Sequence, residues 1–232
     1  MSTQASPTYL VAPSAEPTGP STTPQHALEG LRRAIVAGLL RPGQRVPQEE
    51  VAGQLGVSVA PVREALRILE QEGQVTYLPR RGYFVTTLQI NDLEEIYELR
   101  ALLEARAARS AIQTLDEDAL ERILIAARDC VNAVDAGDVS AELAANRRFH
   151  FAILDSPEHP HTMRLIRLLW DSTEAYRALY YNSPVERRSS IEAHDRIIEA
   201  LREHDADQLV KELASHRERA LTVLREILAP AG

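Results

Sequence analysis

The stretch from Gln44 to Thr87 most constrains the fold, because it holds two short helical patterns with only four residues between them. The first pattern covers Pro47 to Leu55 and the second covers Ala60 to Gln71, separated by Gly56-Val57-Ser58-Val59. A connection this short joins two helices that meet at a steep angle. The stretch therefore predicts a helix-turn-helix motif.

The second helix of this motif has one apolar face and one basic face. Val62, Leu66 and Leu69 recur at helical spacing and predict a buried stripe, which leaves Arg63 and Arg67 on the other side. Ser58 is placed to cap the start of the helix, and Gly73 is placed to end it.

A β-hairpin is predicted directly after these helices. Two alternating runs, Gln74 to Leu78 and Tyr83 to Thr87, are joined by Pro79-Arg80-Arg81-Gly82. Two arginines therefore stand at the tip of the hairpin, which has the form of a wing. A small helical domain whose charges only solvate it would explain the apolar stripe, but not this order of turn, helix and arginine-tipped hairpin.

The segment Leu28 to Thr87 resembles the winged-helix domain of the GntR family of bacterial transcription regulators. The resemblance rests on LRRAIVAGLLRPGQRV, SVAPVREALRILEQEG and PRRG. Many members have Arg and then Thr after the capping Ser, whereas this chain has Val59 and Ala60, so the contact made by that Arg is not expected here and apolar contact to a thymine methyl could replace it. The resemblance implies that double-stranded DNA is bound by Ser58, Val59, Ala60, Arg63, Arg67, Arg80, Arg81 and Gly82.

Charge is divided unevenly along a chain whose net charge is −8. Residues 26–87 carry eight arginines against six acidic residues, whereas residues 88–232 carry 18 basic against 27 acidic residues. A basic head on an acidic body fits a DNA-binding protein and discourages docking in the wrong orientation. With 44% hydrophobic residues, no long apolar run and a single cysteine, the chain is expected to be soluble and cytoplasmic, with no membrane partner.

The predicted organisation is a disordered tail over residues 1–25, a DNA-binding domain over 26–87, a linker over 88–92 and a helical domain over 93–229. The tail is rich in Pro, Ser and Thr, and the first helix is expected from His26 to Leu39. The fold class is mostly α: a winged helix-turn-helix with a small β-hairpin wing, followed by an antiparallel α-helical bundle. Six bundle helices are predicted, over Leu93–Thr114, Asp116–Ala136, Ala141–Leu154, His161–Asn182, Val185–Glu203 and Asp207–Leu228.

Spacing within the bundle predicts that several imidazoles meet. His194 and His216 are equally distant along the chain from a turn near Asp205, so two antiparallel helices would bring them to one level. Asn146 and His150 are four residues apart and share one helix face. Imidazoles and an oxygen donor that project inward from three helices are typical of metal sites in bundles, although each histidine alone is more often a core or surface residue.

The bundle resembles the effector domain of the FadR-type branch of the same family. The resemblance rests on YELRALLEARAARSA, NRRFHFAIL and EAHDRIIEALREHDADQLVKELASH. It implies a divalent metal ion (Zn, Ni, Co or Mn) held by Asn146, His150, His194 and His216, with Asn146 in place of an Asp. The amide oxygen can ligate but brings no negative charge, so the site is expected to be weak or to be completed by an effector carboxylate.

Arg100 resembles the family arginine that reaches into the effector cavity, where it would hold the carboxylate of a small effector. The alternative is an ion pair with Glu104, one helical turn away. Tyr176, Tyr180 and Tyr181 could line the same cavity, or could only pack.

The sequence therefore predicts a ligand-responsive transcription regulator and not an enzyme. It is expected to act as a homodimeric repressor on an inverted-repeat operator, and to be released by a small carboxylate. One alternative is a metal-dependent hydrolase that uses the histidine cluster, although no His-Glu-x-x-His pair is present. Another is a DNA-binding protein whose helical domain only dimerises.

Overall fold

The computed structural model describes residues 23–229 and confirms the predicted fold class of a winged helix followed by a helical bundle. The chain divides into two compact units, residues 1–87 and 88–232. Residues 1–22 of the predicted tail lie outside the described residues, and residues 23–25 are helical. Within the described part of the chain, no helix is both long and apolar enough to cross a membrane.

The first unit contains three helices: α1 (Thr23–Val36), α2 (Gln48–Leu55) and α3 (Val59–Gln71). Helix α1 begins and ends three residues earlier than predicted. Gly56 closes α2 in the left-handed conformation, with φ of 67°, which glycine adopts without steric cost and which turns the chain sharply into α3. Val62, Leu66 and Leu69 of α3 are fully buried, so its predicted inward stripe is confirmed.

The wing is a two-stranded antiparallel hairpin, β1 (Val75–Leu78) and β2 (Gly82–Val85). The register pairs Val75 with Val85 and Leu78 with Gly82, so both strands are shorter than predicted. Arg45, ahead of α2, forms a further bridge to Phe84 and attaches the wing to the start of the helix-turn-helix motif.

The second unit contains seven α-helices among the described residues, one more than predicted. Helix α4 begins at Ile90, where Asp92 accepts a hydrogen bond from the backbone N–H of Gln89 (2.7 Å). The N-cap residue is Gln89, so Asp92 contributes to the predicted cap from within the first turn, and residues 90–92 of the predicted linker are helical. The helices are α4 (Ile90–Ala111), α5 (Glu117–Ala136), α6 (Val139–Leu154), α7 (Pro160–Ser172), α8 (Glu174–Tyr181), α9 (Pro184–Arg202) and α10 (Ala206–Leu228), with a 3-10 turn at Ile112–Thr114.

The additional helix arises because the predicted helix over residues 161–182 is broken at Thr173. The Thr173 hydroxyl lies 3.2 Å from the carbonyl oxygens of both Leu169 and Trp170 and competes with the backbone for these acceptors. Its backbone leaves the helical region, with φ of −105° and ψ of 6°. The break at Thr173 ends α7 at Ser172 and starts the short helix α8 at Glu174.

The core of the bundle is built from the inward faces of these helices. Phe149, Ile197 and Trp170 are almost completely buried in its main apolar cluster, together with the thiol of Cys130 on α5. A smaller cluster joins the start of α4 to α8 and α10, around Tyr97 and Tyr176.

Candidate nucleic-acid interface and metal centre

One face of α3 is polar and open to solvent. Ser58, Ala60, Arg63 and Arg67 are exposed and Val59 is partly exposed. Ser58 occupies the predicted N-cap position with an extended backbone, although its side chain makes no capping hydrogen bond to the described residues. The Nε of Arg63 donates to the Oε1 of Gln48 on α2 (3.2 Å), which orients the guanidinium at the surface.

The wing presents a second group of arginines. Arg80 and Arg81 are exposed, and Gly82 is partly exposed with φ of 92°. Arg80 also has a positive φ of 63°, which an L-residue with a long side chain rarely adopts. Arg45, which sequence reasoning missed, is exposed and donates from Nε to the backbone oxygen of Arg81 (3.0 Å). Its link to the wing is a tertiary contact, which neither helical nor strand periodicity reveals.

Three histidines converge inside the bundle from three helices. The ring centroids of His150 on α6, His194 on α9 and His216 on α10 are 5.1 to 5.4 Å apart in each pair. One ligand atom from each ring lies within 4.8 Å of the others. A single ion could therefore be reached by all three imidazoles after small side-chain adjustments.

Asn146 joins this group from the helical turn before His150. It is 4% exposed, and its Oδ1 accepts a hydrogen bond from the Nε2 of His194 (3.1 Å). The Nδ1 of His194 is buried without a hydrogen-bond partner among residues 23–229. Three imidazoles, one of which has an orphaned ring nitrogen, and an amide oxygen form a donor set that fits a divalent transition metal.

The histidines are held in the neutral form that metal binding requires. The pKa of His150 and the pKa of His194 lie well below the ordinary value, chiefly because both rings are buried and also because neighbouring imidazoles oppose a positive charge. Loss of hydration likewise lowers the pKa of His216 to about 4. Protons therefore compete weakly with a metal at neutral pH.

These shifts predict that the metal-free protein loses stability as the pH falls from about 7 to about 5. Below an unfolded pKa near 6.5, the unfolded chain binds protons that the folded imidazoles refuse, so stability falls with pH. With its pKa near 4, His216 alone contributes about 2 kcal/mol to this loss. Urea unfolding in the presence of a chelator would measure it: His216→Gln should show a smaller loss than the wild type. Equal losses in the two proteins would contradict the shift.

Arg100 lies beside the histidines in a network of buried charges. Its Nε donates to the Oε1 of Glu104 (2.8 Å), the ion pair considered as the alternative to effector binding. The same carboxylate accepts from the Nε1 of Trp170 (2.7 Å) and from Arg217 (2.6 Å). Burial alone would raise the pKa of Glu104, but the two guanidiniums outweigh it and the pKa is lowered. Arg100 is thus oriented by Glu104 while it lines the cavity described next.

A small cavity of about 30 Å³ adjoins the histidine cluster. It is lined by His150, His216 and Asn146 and by three arginines, among other residues. A larger groove of about 410 Å³ runs along α4 and α10. Tyr97 and Arg217 line both spaces, so the two spaces adjoin at these residues.

Arg177 on α8 is a cavity residue that sequence reasoning missed. It is 6% exposed, and its guanidinium lies 4.2 Å from the centre of the Trp170 ring. Its Nε and Nη1 are buried with no hydrogen-bond partner in the described part of the chain. Burial lowers the pKa of Arg177 to about 10, although the guanidinium remains charged at neutral pH.

The three tyrosines on α8 differ in position and in hydrogen-bond partners. Tyr180 and Tyr181 line the cavity, with their hydroxyls bonded to the backbone oxygen of Glu186 and to Ser190. Tyr176 instead reaches the first residue of the second unit: its hydroxyl accepts from the N–H of Leu88 (2.7 Å) and lies 3.4 Å from the Leu88 carbonyl oxygen.

Comparisons with known proteins agree with both units. The family model described as bacterial regulatory proteins, gntR family, matches residues 23–85, and the FCD domain matches residues 95–219. The Nta operon transcriptional regulator of Aminobacter aminovorans is 32% identical over 82% of this chain and 89% of its own length. An uncharacterized HTH-type transcriptional regulator of Bacillus subtilis, YdhC, is 27% identical over 85% and 89%. The solved structure of Escherichia coli McbR/YncC superposes with a TM-score of 0.78 at 26% identity, covering 89% of this chain and 99% of that one.

Proposed function

This chain belongs to the gntR family of bacterial regulatory proteins, and from that premise we propose that it is a transcription regulator whose DNA binding responds to a small carboxylate held at a divalent metal. The observation that carries the metal-centred part is the convergence of His150, His194 and His216 from three helices. Their burial within an FCD domain supports a binding site rather than a solvated cluster.

For DNA, we propose that α3 enters the major groove and that the wing contacts the backbone. The exposed arginines at positions 63, 67, 80 and 81 support this arrangement, since guanidinium groups suit both guanine edges and phosphates. Ser58, Val59, Ala60 and Gly82 would lie against the DNA between them. In this proposal the protein acts in the cytoplasm as a repressor.

The helical unit would also join two copies of the chain. Leu99 and Leu102 are 43% and 72% exposed on neighbouring positions of α4, an apolar surface that a partner copy would cover. A two-fold dimer presents two identical DNA-binding units, so the operator would be an inverted repeat. Sedimentation at micromolar concentration would test this, because a monomer would exclude it.

At the metal, His150, His194 and His216 would supply neutral imidazoles, and Asn146 would supply an amide oxygen. A bound Zn, Ni, Co or Mn ion would supply positive charge and open coordination positions for an effector carboxylate. Arg100, oriented by its ion pair with Glu104, would face the same carboxylate. Because Asn146 brings no negative charge, the carboxylate of the effector would complete the site.

Hydrolysis at this metal is less well supported. A hydrolytic site needs a general base beside the metal-bound water. Glu104 is the one carboxylate among the residues that line the cavity, and both of its oxygens accept hydrogen bonds from Arg100, Trp170 or Arg217. We therefore propose that the protein is not an enzyme.

Helix α8 offers a route from the cavity to the DNA-binding unit. Arg177 lines the cavity, and the preceding residue, Tyr176, is bonded to Leu88, immediately after the DNA-binding unit ends at Thr87. Effector binding that shifts α8 and α4 would therefore act on the backbone that leads to the DNA-binding unit. For this, the effector must bind the released state more tightly than the DNA-bound state.

We expect Tyr176→Phe to weaken the effector response while effector binding and operator binding persist. The substitution removes only the hydroxyl that contacts Leu88, worth about 1 kcal/mol, and keeps the packed ring. Gel shifts with operator DNA selected from a random pool would give the response, and calorimetry would give effector affinity in the same protein. An unchanged response would exclude this route.

The proposed function as a whole is tested by thermal melting with metals and carboxylates. Zn, Ni, Co and Mn should each raise the melting temperature of chelator-treated protein, and small carboxylates should raise it further only when metal is present. No stabilisation by any of the four ions would overturn the metal-centred proposal. Stabilisation by a metal ion with no further effect of carboxylates would favour the alternative of a helical unit that only dimerises.

A further inference from the structure

Arg177 is the least compensated charge in the cavity. Arg100 and Arg217 share the Glu104 carboxylate, and the buried Arg187 pairs with Glu142. Arg177 stacks on the Trp170 ring and is within electrostatic range of the partly exposed Glu174, but its Nε and Nη1 have no hydrogen-bond partner among the described residues. A buried cation in this state is costly, and a cation–π contact offsets only part of that cost.

The lining residues carry an excess of positive charge. Three arginines line the cavity with a single carboxylate, while the histidines are neutral and Asn146 has no charge. A divalent ion on the histidines would add two more positive charges. One carboxylate on the ion and Arg100 would leave the Arg177 guanidinium without a hydrogen-bonded anion in the cavity.

We propose that Arg177 forms a second anionic subsite, so that the effector is a short dicarboxylate with one group at the metal and Arg100 and the other at Arg177. This inference rests on the proposed function, because the first carboxylate needs the metal. The guanidiniums of Arg100 and Arg177 lie 4.3 and 4.2 Å from the centre of the Trp170 ring, close enough for one short dicarboxylate to engage both. Each guanidinium can bind a carboxylate through two parallel hydrogen bonds.

The size of the cavity limits the effector to a short molecule. A cavity of about 30 Å³ has room for roughly two water molecules. Tyr97 and Arg217 line both this cavity and the adjoining groove along α4 and α10. Their movement would have to supply the remaining room for an effector. Three- or four-carbon dicarboxylates are therefore better candidates than long-chain or aromatic acids.

The test compares malonate and succinate with acetate and propionate on Zn-loaded protein by calorimetry. A dicarboxylate should bind at least about tenfold more tightly than the monocarboxylates, since one charged hydrogen-bonded pair is worth that much. Arg177→Met should remove this advantage, whereas Arg177→Lys, which keeps the charge but not the fork, should retain part of it. Zinc content measured after each titration checks that no ligand has stripped the ion.

Stability of the free protein separates a binding role from a structural one. Because Arg177 is unpartnered, Arg177→Met should raise the melting temperature of the ligand-free protein. Arg187→Met is the matched control: it breaks a buried ion pair and should lower the melting temperature.

Several results would overturn the inference. Equal affinities for mono- and dicarboxylates would remove the second subsite while leaving the metal-centred function intact. If Arg177→Met had a lower melting temperature than the wild type and an unchanged preference for dicarboxylates, the role of Arg177 would be structural. Inorganic phosphate that binds more tightly than either dicarboxylate would show one compact anion site. Failure of every carboxylate on Zn-loaded protein would overturn the proposed function as well.

Discussion

Simultaneous replacement of His194 and His216 by alanine is expected to abolish metal binding and the effector response while operator binding persists. Two of the three imidazoles are lost, and the remaining His150 and Asn146 cannot hold a divalent ion with useful affinity. The proposed DNA contacts lie in the other unit, which carries neither histidine. If effector changes operator affinity about 100-fold in the wild type, the double variant loses about 2.7 kcal/mol of coupling.

The measurement combines elemental analysis after metal loading with operator titrations in the presence and absence of effector. Replacement of the exposed His161 and His204 by alanine is the matched control, because it removes two imidazoles outside the cluster. That control should keep both the metal and the response. A double variant at positions 194 and 216 that still responded normally would show that the sensor lies elsewhere.

Arg63→Ala is expected to remove specific operator binding without lowering thermal stability. Arg63 is exposed and its hydrogen bond to Gln48 is also exposed, so little folding free energy depends on this side chain. A base-contacting arginine contributes about 1–3 kcal/mol of discrimination, and a dimer loses it twice. The affinity loss is therefore on the order of 100-fold or more.

Footprinting and salt titrations distinguish this role from general attraction to DNA. Loss of phosphate-contacting arginines such as Arg80 or Arg81 should flatten the dependence of affinity on salt while sequence preference persists. Arg128→Ala, an exposed arginine on α5, is the control and should change neither property. An unchanged footprint for Arg63→Ala would show that α3 is not the recognition helix.

The first unit could be predicted closely because its signals are local. Short spacing, turn glycines and a period-3.6 stripe fix α2, α3 and the wing without knowledge of distant contacts. The contact that could not be predicted in this unit is a tertiary one. The attachment of Arg45 to the wing depends on a side chain that meets a backbone oxygen 36 residues away.

The bundle was harder to predict because no local sequence signal marks its key features. Thr173 breaks a helix through its hydroxyl, although neither Gly nor Pro stands there. Arg177 lies between two tyrosines of an amphipathic pattern, where an arginine ordinarily faces solvent. For Arg100, spacing predicted the ion pair and the family resemblance predicted the cavity position, and the structure contains both.

The histidine cluster illustrates what a symmetric spacing can and cannot predict. Equal distances from the turn near Asp205 place His194 and His216 at one level, and their rings lie 5.2 Å apart. Spacing could not predict the hydrogen bond between Asn146 and His194, since it depends on how α6 packs against α9.

The position of Cys130 makes the opening of the bundle a measurable rate. The chain has one cysteine, and its thiol is 1% exposed on α5 with a pKa that burial raises to about 12. In the closed bundle this thiol is protonated and shielded, so a thiol reagent reacts only during transient opening. Any ligand that binds only the closed bundle slows that reaction in proportion to its occupancy. The natural chain therefore carries its own chemical probe of how often the effector unit opens, with no label introduced.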